Sequence, residues 1–291
     1  MQSGTPVMTT NVTSSDRIYY TPYIGNNLPA PNGSGGYSNV AFSEMSVNTA
    51  FSEFYGVGDI FAYYADSTWN ICGAPWYPGG SFSSTSRGTG AGTTQLTQIG
   101  GILVNAYNLT CYNSDTDAYT ISAQYGIYLG SFAGGGGLKV MFNPSAAPGG
   151  SQTGIGLWNA YNRVRITASS QDSNSSWTYS SSAWRNADDS TANSITWLDG
   201  LGQTSISAAY DATGSNSSAS GQTNIGVGIN DIVTPAINGQ SSSTTPLSIH
   251  SATISPPILG LNVAQALERV PAGTETFYSG GLNLLTLDTE Y

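Results

Sequence analysis

An all-β fold, with a β-sandwich or jelly-roll-like body and an extended N-terminal arm, is what the 291-residue sequence predicts. Three observations point there. Charged residues make up 8% of the chain, against about a quarter in ordinary globular domains, which leaves long helices without charged outer faces. Apolar residues recur at every second position in run after run, the period of a strand with one buried face. Clusters of Gly, Pro, Ser and Asn separate those runs at turn spacing, with no fixed-period repeat.

Residues 1–16 are polar and aperiodic and read as an arm that needs another surface to order it. The following RIYYTPYIGNNLPAPNGSG alternates aromatics with Pro and Gly-Asn turns, which suits a segment laid along a surface. Residues 1–40 are therefore assigned as a docking arm, with Tyr19, Tyr20 and Tyr23 as its contact rings, and residues 41–291 as the β-rich body. Within the body, Val57, Ile60, Phe61, Tyr63 and Tyr64 mark the first buried strand. Residues 66–94 read as long loops around short aromatic pieces. Ile102, Val104 and Ala106 form the next strand. Ile121, Ala123, Tyr125 and Ile127 share one side of a further run, and the glycines at 134–137 turn the chain into LKVMF. Residues 146–154, AAPGGSQTG, form the clearest break and a possible subdivision.

Residues 158–185 are the densest stretch, holding three of the six Trp and three of the seven basic residues. Asn162, Val164, Ile166 and Ala168 fall on one face and Arg163, Arg165 and Thr167 on the other, while Trp177 and Tyr179 share a face of a second run. The polar SSQDSNSS between them reads as the turn of a β-hairpin. Strands follow at SITWLDGL, TSISAAYDAT, NIGVGINDIV and SIHSATIS, separated by loops at 213–223 and 239–246. For VAQALERV a short helical turn and a bent strand both remain open, and the flanking glycines favour the strand.

The net charge of −10 and pI near 4.1 repel phosphate backbones and anionic headgroups, so nucleic acid is excluded as a partner. The N-terminus shows no signal-peptide pattern and no apolar run approaches eighteen residues, so a soluble protein without membrane insertion is expected. Cys72 and Cys111 read as two small buried hydrophobes more readily than as a bridge. The lone His250 reads as structural. Paired carboxylates for glycoside hydrolysis come from Asp188 and Asp189, or Glu53 and Asp59, with solvated turn charges as the plainer reading of the first pair. Asn113, Asp115 and Asp117 space their oxygens like part of a calcium loop but lack its glycine and its distant Glu, which favours an Asx-turn and no metal. Gly88, Gly90 and Gly92 have neither the lysine nor the strand-to-helix setting of a phosphate loop. Neither a catalytic residue nor a cofactor site is assigned.

The sequence YYTPYIGN at 19–26, followed by FSEMS at 42–46, resembles a recurrent group of tailed-bacteriophage virion proteins described as tail or fibre proteins. Three later pieces extend the likeness in the same order: RGTGAGTTQLTQIGGILVN at 87–105, GLWNAYNRVRI at 156–166 with SWTY and AWR after it, and ETFYSGG at 275–281. The resemblance implies a non-enzymatic virion structural protein on the particle exterior, made in the host cytoplasm. Its expected partners are its own copies, as a homotrimer, and neighbouring virion proteins. Head-surface decoration is one alternative. Another is a carbohydrate-binding, receptor-recognition module, with Trp76, Tyr77, Trp177 and Trp184 as surface rings stacking on a host glycan.

Overall fold

Strand formation follows the two-residue period, and burial on one or both faces decides how each strand reads. The computed structural model describes residues 1–8, 10–49, 56–114, 117–135, 139–148, 153–231, 234–235, 238–279 and 283–291. The N-terminal ribbons are β1 (Val12–Ser15), β2 (Arg17–Tyr20), β3 (Asn27–Pro31), β4 (Tyr37–Ala41) and β5 (Met45–Asn48). Three hairpins follow: β6 (Gly56–Ala65) with β7 (Thr68–Pro75), β8 (Leu96–Ile99) with β9 (Ile102–Asn105), and β10 (Leu109–Tyr112) with β11 (Ala118–Ile121). The chain continues through β12 (Gly126–Gly135), β13 (Lys139–Asn143), β14 (Thr153–Ile155), β15 (Leu157–Asn159), β16 (Arg165–Gln171), β17 (Ser176–Tyr179) and β18 (Arg185–Asn186). The last eight strands are β19 (Ser194–Asp199), β20 (Ile206–Asn216), β21 (Gln222–Ile229), β22 (Asn238–Ser241), β23 (Leu247–Ser255), β24 (Gly260–Ala272), β25 (Glu275–Tyr278) and β26 (Leu284–Glu290). Helix among the described residues is limited to two single 3-10 turns, Pro78–Gly80 and Ala187–Asp189.

The fold is all-β, with a curled sheet and a sandwich-like body. One large sheet runs β11-β10-β7-β6-β12-β13-β14-β19-β24-β21-β22, and a six-stranded sheet runs β16-β26-β20-β25-β17 with β23 on β20. The two pack face to face over a core containing Phe142, Trp197, Tyr210, Phe277 and Leu287. At the other end, β6, β7 and β12 are covered on both faces. Ile60, Ala62 and Leu129 meet the N-terminal ribbons, while Phe61, Cys72 and Tyr128 meet β10 and the 76–94 loops. Two-sided cover explains why six consecutive residues of β6 are buried.

Several expectations are corrected by this topology. The N-terminal stretch orders on its own chain: β1 pairs with β13, Met8 enters the sandwich core, and the Tyr291 hydroxyl donates to the Met8 carbonyl at 2.9 Å. The strands at 165–171 and 176–179 exist with the expected faces, but they form no hairpin with each other, because β16 pairs with β26 and β17 with β25. The run through 121–127 breaks at a turn with Gln124 in the left-handed region (φ 68°). The loop expected at 213–223 narrows, since β20 runs on to Asn216 and β21 begins at Gln222. Part of the 239–246 loop is β22. For VAQALERV, by contrast, the favoured reading holds, since it is strand throughout, within β24. Cys72 and Cys111 are bridged, tying β7 to β10. The break at 146–154 lies partly outside the described residues, and antiparallel pairing of β13 with β14 carries the large sheet across it.

Candidate functional site

The buried charges come first, because a β core poor in basic residues has to justify each one. Asp59 projects from β6 into the core and is fully buried. The Arg87 guanidinium meets it with two bonds, Nε to Oδ2 at 2.6 Å and Nη2 to Oδ1 at 2.9 Å. A bulge in β12 between Tyr128 and Gly130 puts Tyr128 and Ser131 on one face. Ser131 then donates to Asp59 Oδ1 at 2.7 Å, and Arg87 Nη2 also donates to the Tyr128 hydroxyl at 3.1 Å. The guanidinium lies 4.6 Å from the Trp76 ring and 5.1 Å from the Tyr128 ring. Burial alone would lower the Arg87 pKa, but Asp59 and Tyr128 beside it hold it above its ordinary value. Arg87 reaches this position from the loop of Gly88, Gly90 and Gly92, all three at positive φ.

A second centre lies in the sandwich. Glu268 of β24 is fully buried and takes Arg185 Nη2 at 2.7 Å and Nε at 2.8 Å on Oε1, with Trp177 Nε1 on Oε2 at 2.8 Å. Burial pushes Glu268 up to about 7 in spite of these donors. Asp188, in the left-handed region at φ 56°, donates its backbone N–H to Glu268 at 3.3 Å. Its carboxyl is raised by burial and by Asp172, although Asn174 donates to it. The buried Tyr210 hydroxyl has no hydrogen-bond partner among the described residues and is raised by burial and by Glu268, Asp172 and Asp188 around it.

The residues expected to carry function are scattered. Trp76 and Trp177 are not surface rings: the first is the floor under Arg87, the second stacks on Phe277 and donates to Glu268. Trp184 is half-buried beside the Arg269 guanidinium at 4.7 Å. Tyr77 is exposed, edge-on to Phe82. In the N-terminal ribbons Tyr19 is half-buried, Tyr20 packs on Phe42 at 5.7 Å, and Tyr23 is exposed. Asp188 has Asp172 as its interacting carboxylate, while Glu53 lies outside the described residues and Asp59 is committed to Arg87. Asp115 also lies outside them. Asn113 and Asp117 close their turn through main-chain bonds, and no metal-binding cluster occurs among the described residues. His250 sits on an exposed face of β23, its Nδ1 2.7 Å from Asp211.

One concave site among the described residues is a groove of about 340 Å³ between the β4–β5 connection and the β6–β7 hairpin. Phe42, Ser43, Glu44, Tyr64, Trp69 and Asn70 are among its lining residues. Tyr64 and Trp69 face each other across the hairpin ladder with ring centroids 5.3 Å apart, and Trp69 Nε1 donates to the Val40 carbonyl at 3.3 Å. The hairpin closes through Asp66 and Ser67, both non-glycine residues at positive φ (49° and 61°). Sequence reading passed over Trp69, although an aromatic pair flanking an Asp-Ser turn was the available signal. Among the described residues no helix is long and apolar enough to cross a membrane.

No family model matches the chain, and no curated protein does. Among solved structures, the TNF protein Eiger from S. frugiperda matches at 12% identity and a TM-score of 0.30, over 43% of this chain and 91% of that one. Dimeric latent PorU from Porphyromonas gingivalis matches at 10% identity and 0.30, over 80% and 21%. The infectious bursal disease virus Gx strain structure matches at 12% identity and 0.25, over 97% and 73%. Likenesses this distant carry no argument about what the chain does.

Proposed function

We propose that this chain is a non-enzymatic structural subunit of a tailed-bacteriophage virion, part of the tail or fibre apparatus, assembling as a homotrimer on the particle exterior. The succession of sequence motifs supports the virion reading. The observation that carries the assembly role is the loop between β2 and β3, where Ile24 is 92% exposed and its neighbour Tyr23 58%. A large aliphatic side chain held almost wholly in water next to an exposed ring suits a surface that a second copy covers. This loop belongs to ribbons that form their own two-stranded pairs, β2 with β5 and β3 with β4, outside the two main sheets. Within residues 1–40 the docking contact is assigned to this loop, since Met8 and β1 already engage their own body.

The test is the mass of the purified chain in solution, with uptake of tagged chain into assembling phage particles measured beside it. Tyr23→Ser with Ile24→Asp changes stability by no more than about 0.5 kcal/mol, as expected for exposed positions. It abolishes both self-association and uptake. A wild-type chain that particles never take up, or a double variant that assembles normally, overturns the reading.

A further inference from the structure

We infer that the groove beside Trp69 is a binding site for a neutral saccharide. The inference stands on the groove and not on the virion reading. Its volume of about 340 Å³ lies at the small end of ligand clefts, enough for the end or a short stretch of a glycan. The chemistry of the lining selects the class. Phe42, Tyr64 and Trp69 supply ring surface for the C–H face of a pyranose. Ser43, Ser67, Thr68 and Asn70 supply neutral donors and acceptors for hydroxyls.

Among the described residues, Glu44 is the one charged group in the lining. Ser3, the Gly4 N–H at 2.6 Å and Thr21 at 2.7 Å all donate to its carboxylate, and these bonds, that from Ser3 foremost, hold its pKa below the ordinary value. A carboxylate kept ionised accepts hydroxyl hydrogens from a sugar. It repels phosphate, sulfate or a sialic carboxylate, and the chain's net charge of −10 does the same.

Preorganisation gives the second reason. Trp69 is fixed by its bond to the Val40 carbonyl and by its contact with Tyr64, so little side-chain freedom is lost when a ring stacks on it. The two rings are tilted by 59°, so one of them carries a stacked sugar while the other forms an edge wall. The left-handed Asp66-Ser67 pair is the two-residue turn that closes this hairpin and fixes the register that sets Tyr64 opposite Trp69.

The experiment is a binding screen of the full chain. The probes are neutral tri- and tetrasaccharides built from glucose, galactose, mannose, rhamnose or N-acetylglucosamine, with sialylated counterparts alongside. At least one neutral probe should bind at millimolar concentration or below and more tightly than its sialylated counterpart. Trp69→Ala should weaken that binding at least tenfold, and Tyr64→Ala and Asn70→Ala several-fold. Tyr64 is exposed, so Tyr64→Ala loses only the modest stabilisation of the ring contact, stays folded, and decides the matter if Trp69→Ala fails to fold. Absence of neutral-sugar binding, preference for the sialylated probes, or unchanged affinity in Tyr64→Ala overturns the inference. Solution mass and particle uptake of the same variants report separately on assembly, so failure of one reading is visible apart from failure of the other.

Discussion

At Arg87 two guanidinium nitrogens meet two different oxygens of Asp59, whereas at Arg185 both nitrogens converge on the single oxygen Oε1 of Glu268. The first carboxylate has a further donor in Ser131, and its arginine lies over two rings. The second has Trp177 on its remaining oxygen, but Asp172, Asp188 and the unpartnered Tyr210 hydroxyl crowd the same end of the sandwich. Both carboxylates are fully buried. Burial sets the cost in each case, and the geometry of the partners decides whether the charge survives it. In the sandwich Glu268 is held up to about 7, so it carries a proton for part of the physiological range.

Removing the arginine breaks the comparison most sharply at the first centre. Arg87→Met leaves Asp59 buried without its cation, a change that costs about 3–5 kcal/mol in comparable buried pairs. The midpoint of urea unfolding should fall accordingly, and adding Asp59→Asn should restore part of the loss. A cost below about 1 kcal/mol would mean that water reaches Asp59. The same region holds the Cys72–Cys111 bridge, both cysteines buried, at a sequence separation of 39. Replacing the pair with alanines should cost about 3 kcal/mol. Amide exchange should then rise in β7, β10 and β11 while the sandwich, which has no cysteine in its core, stays protected.

At the second centre Arg185→Met should cost less below pH 7, because Glu268 can keep its proton where Asp59 is committed to its arginine. The sign follows from linkage. The folded pKa of about 7 lies above the ordinary glutamate value of 4.5, so the native state binds more protons between those limits. The stabilisation from protonated Glu268 is present below about pH 4.5 and is lost as pH rises through 7, on the order of 3 kcal/mol in all. Glu268→Gln removes that slope, and a difference between wild-type and variant that stays flat from pH 4.5 to 8 would refute the assignment.

Much of this contrast was legible in residue pattern, though its pairing was not. The two-residue period and the turns between runs placed β16, β17, β19, β20, β21 and β23, since period and turn chemistry are local. The partners of β16 and β17 lie more than ninety residues away in β26 and β25, and no local signal chooses between a neighbouring strand and a distant one. Trp76 and Trp177 looked like surface rings because their neighbours are turn-formers, yet a ring is buried by whatever the remote chain lays over it. Arg87 was legible in principle. An aspartate inside the apolar run GVGDIFAYYA needs a cation, and the chain has only seven Lys and Arg to choose from. The groove at Trp69 was not, because its two walls meet only when β5 folds beside β7.

The smallest expected effect sharpens the same point at a third arginine. Arg165 reaches Asp288 at 3.3 Å across the β16–β26 ladder, and Thr167 donates to the same carboxylate, so this carboxylate too has an arginine and a second donor. The Arg165 side chain, however, is 74% exposed. Water already solvates both charges, and holding a long side chain in one rotamer offsets most of the attraction. Arg165→Met should therefore shift stability by less than about 1 kcal/mol, and raising salt should erase even that. A cost approaching that of Arg87→Met would mean that pairing itself stabilises this fold. The small value expected here ties the stabilising role of a charge to desolvation, which Asp59 and Glu268 experience and Asp288 largely escapes.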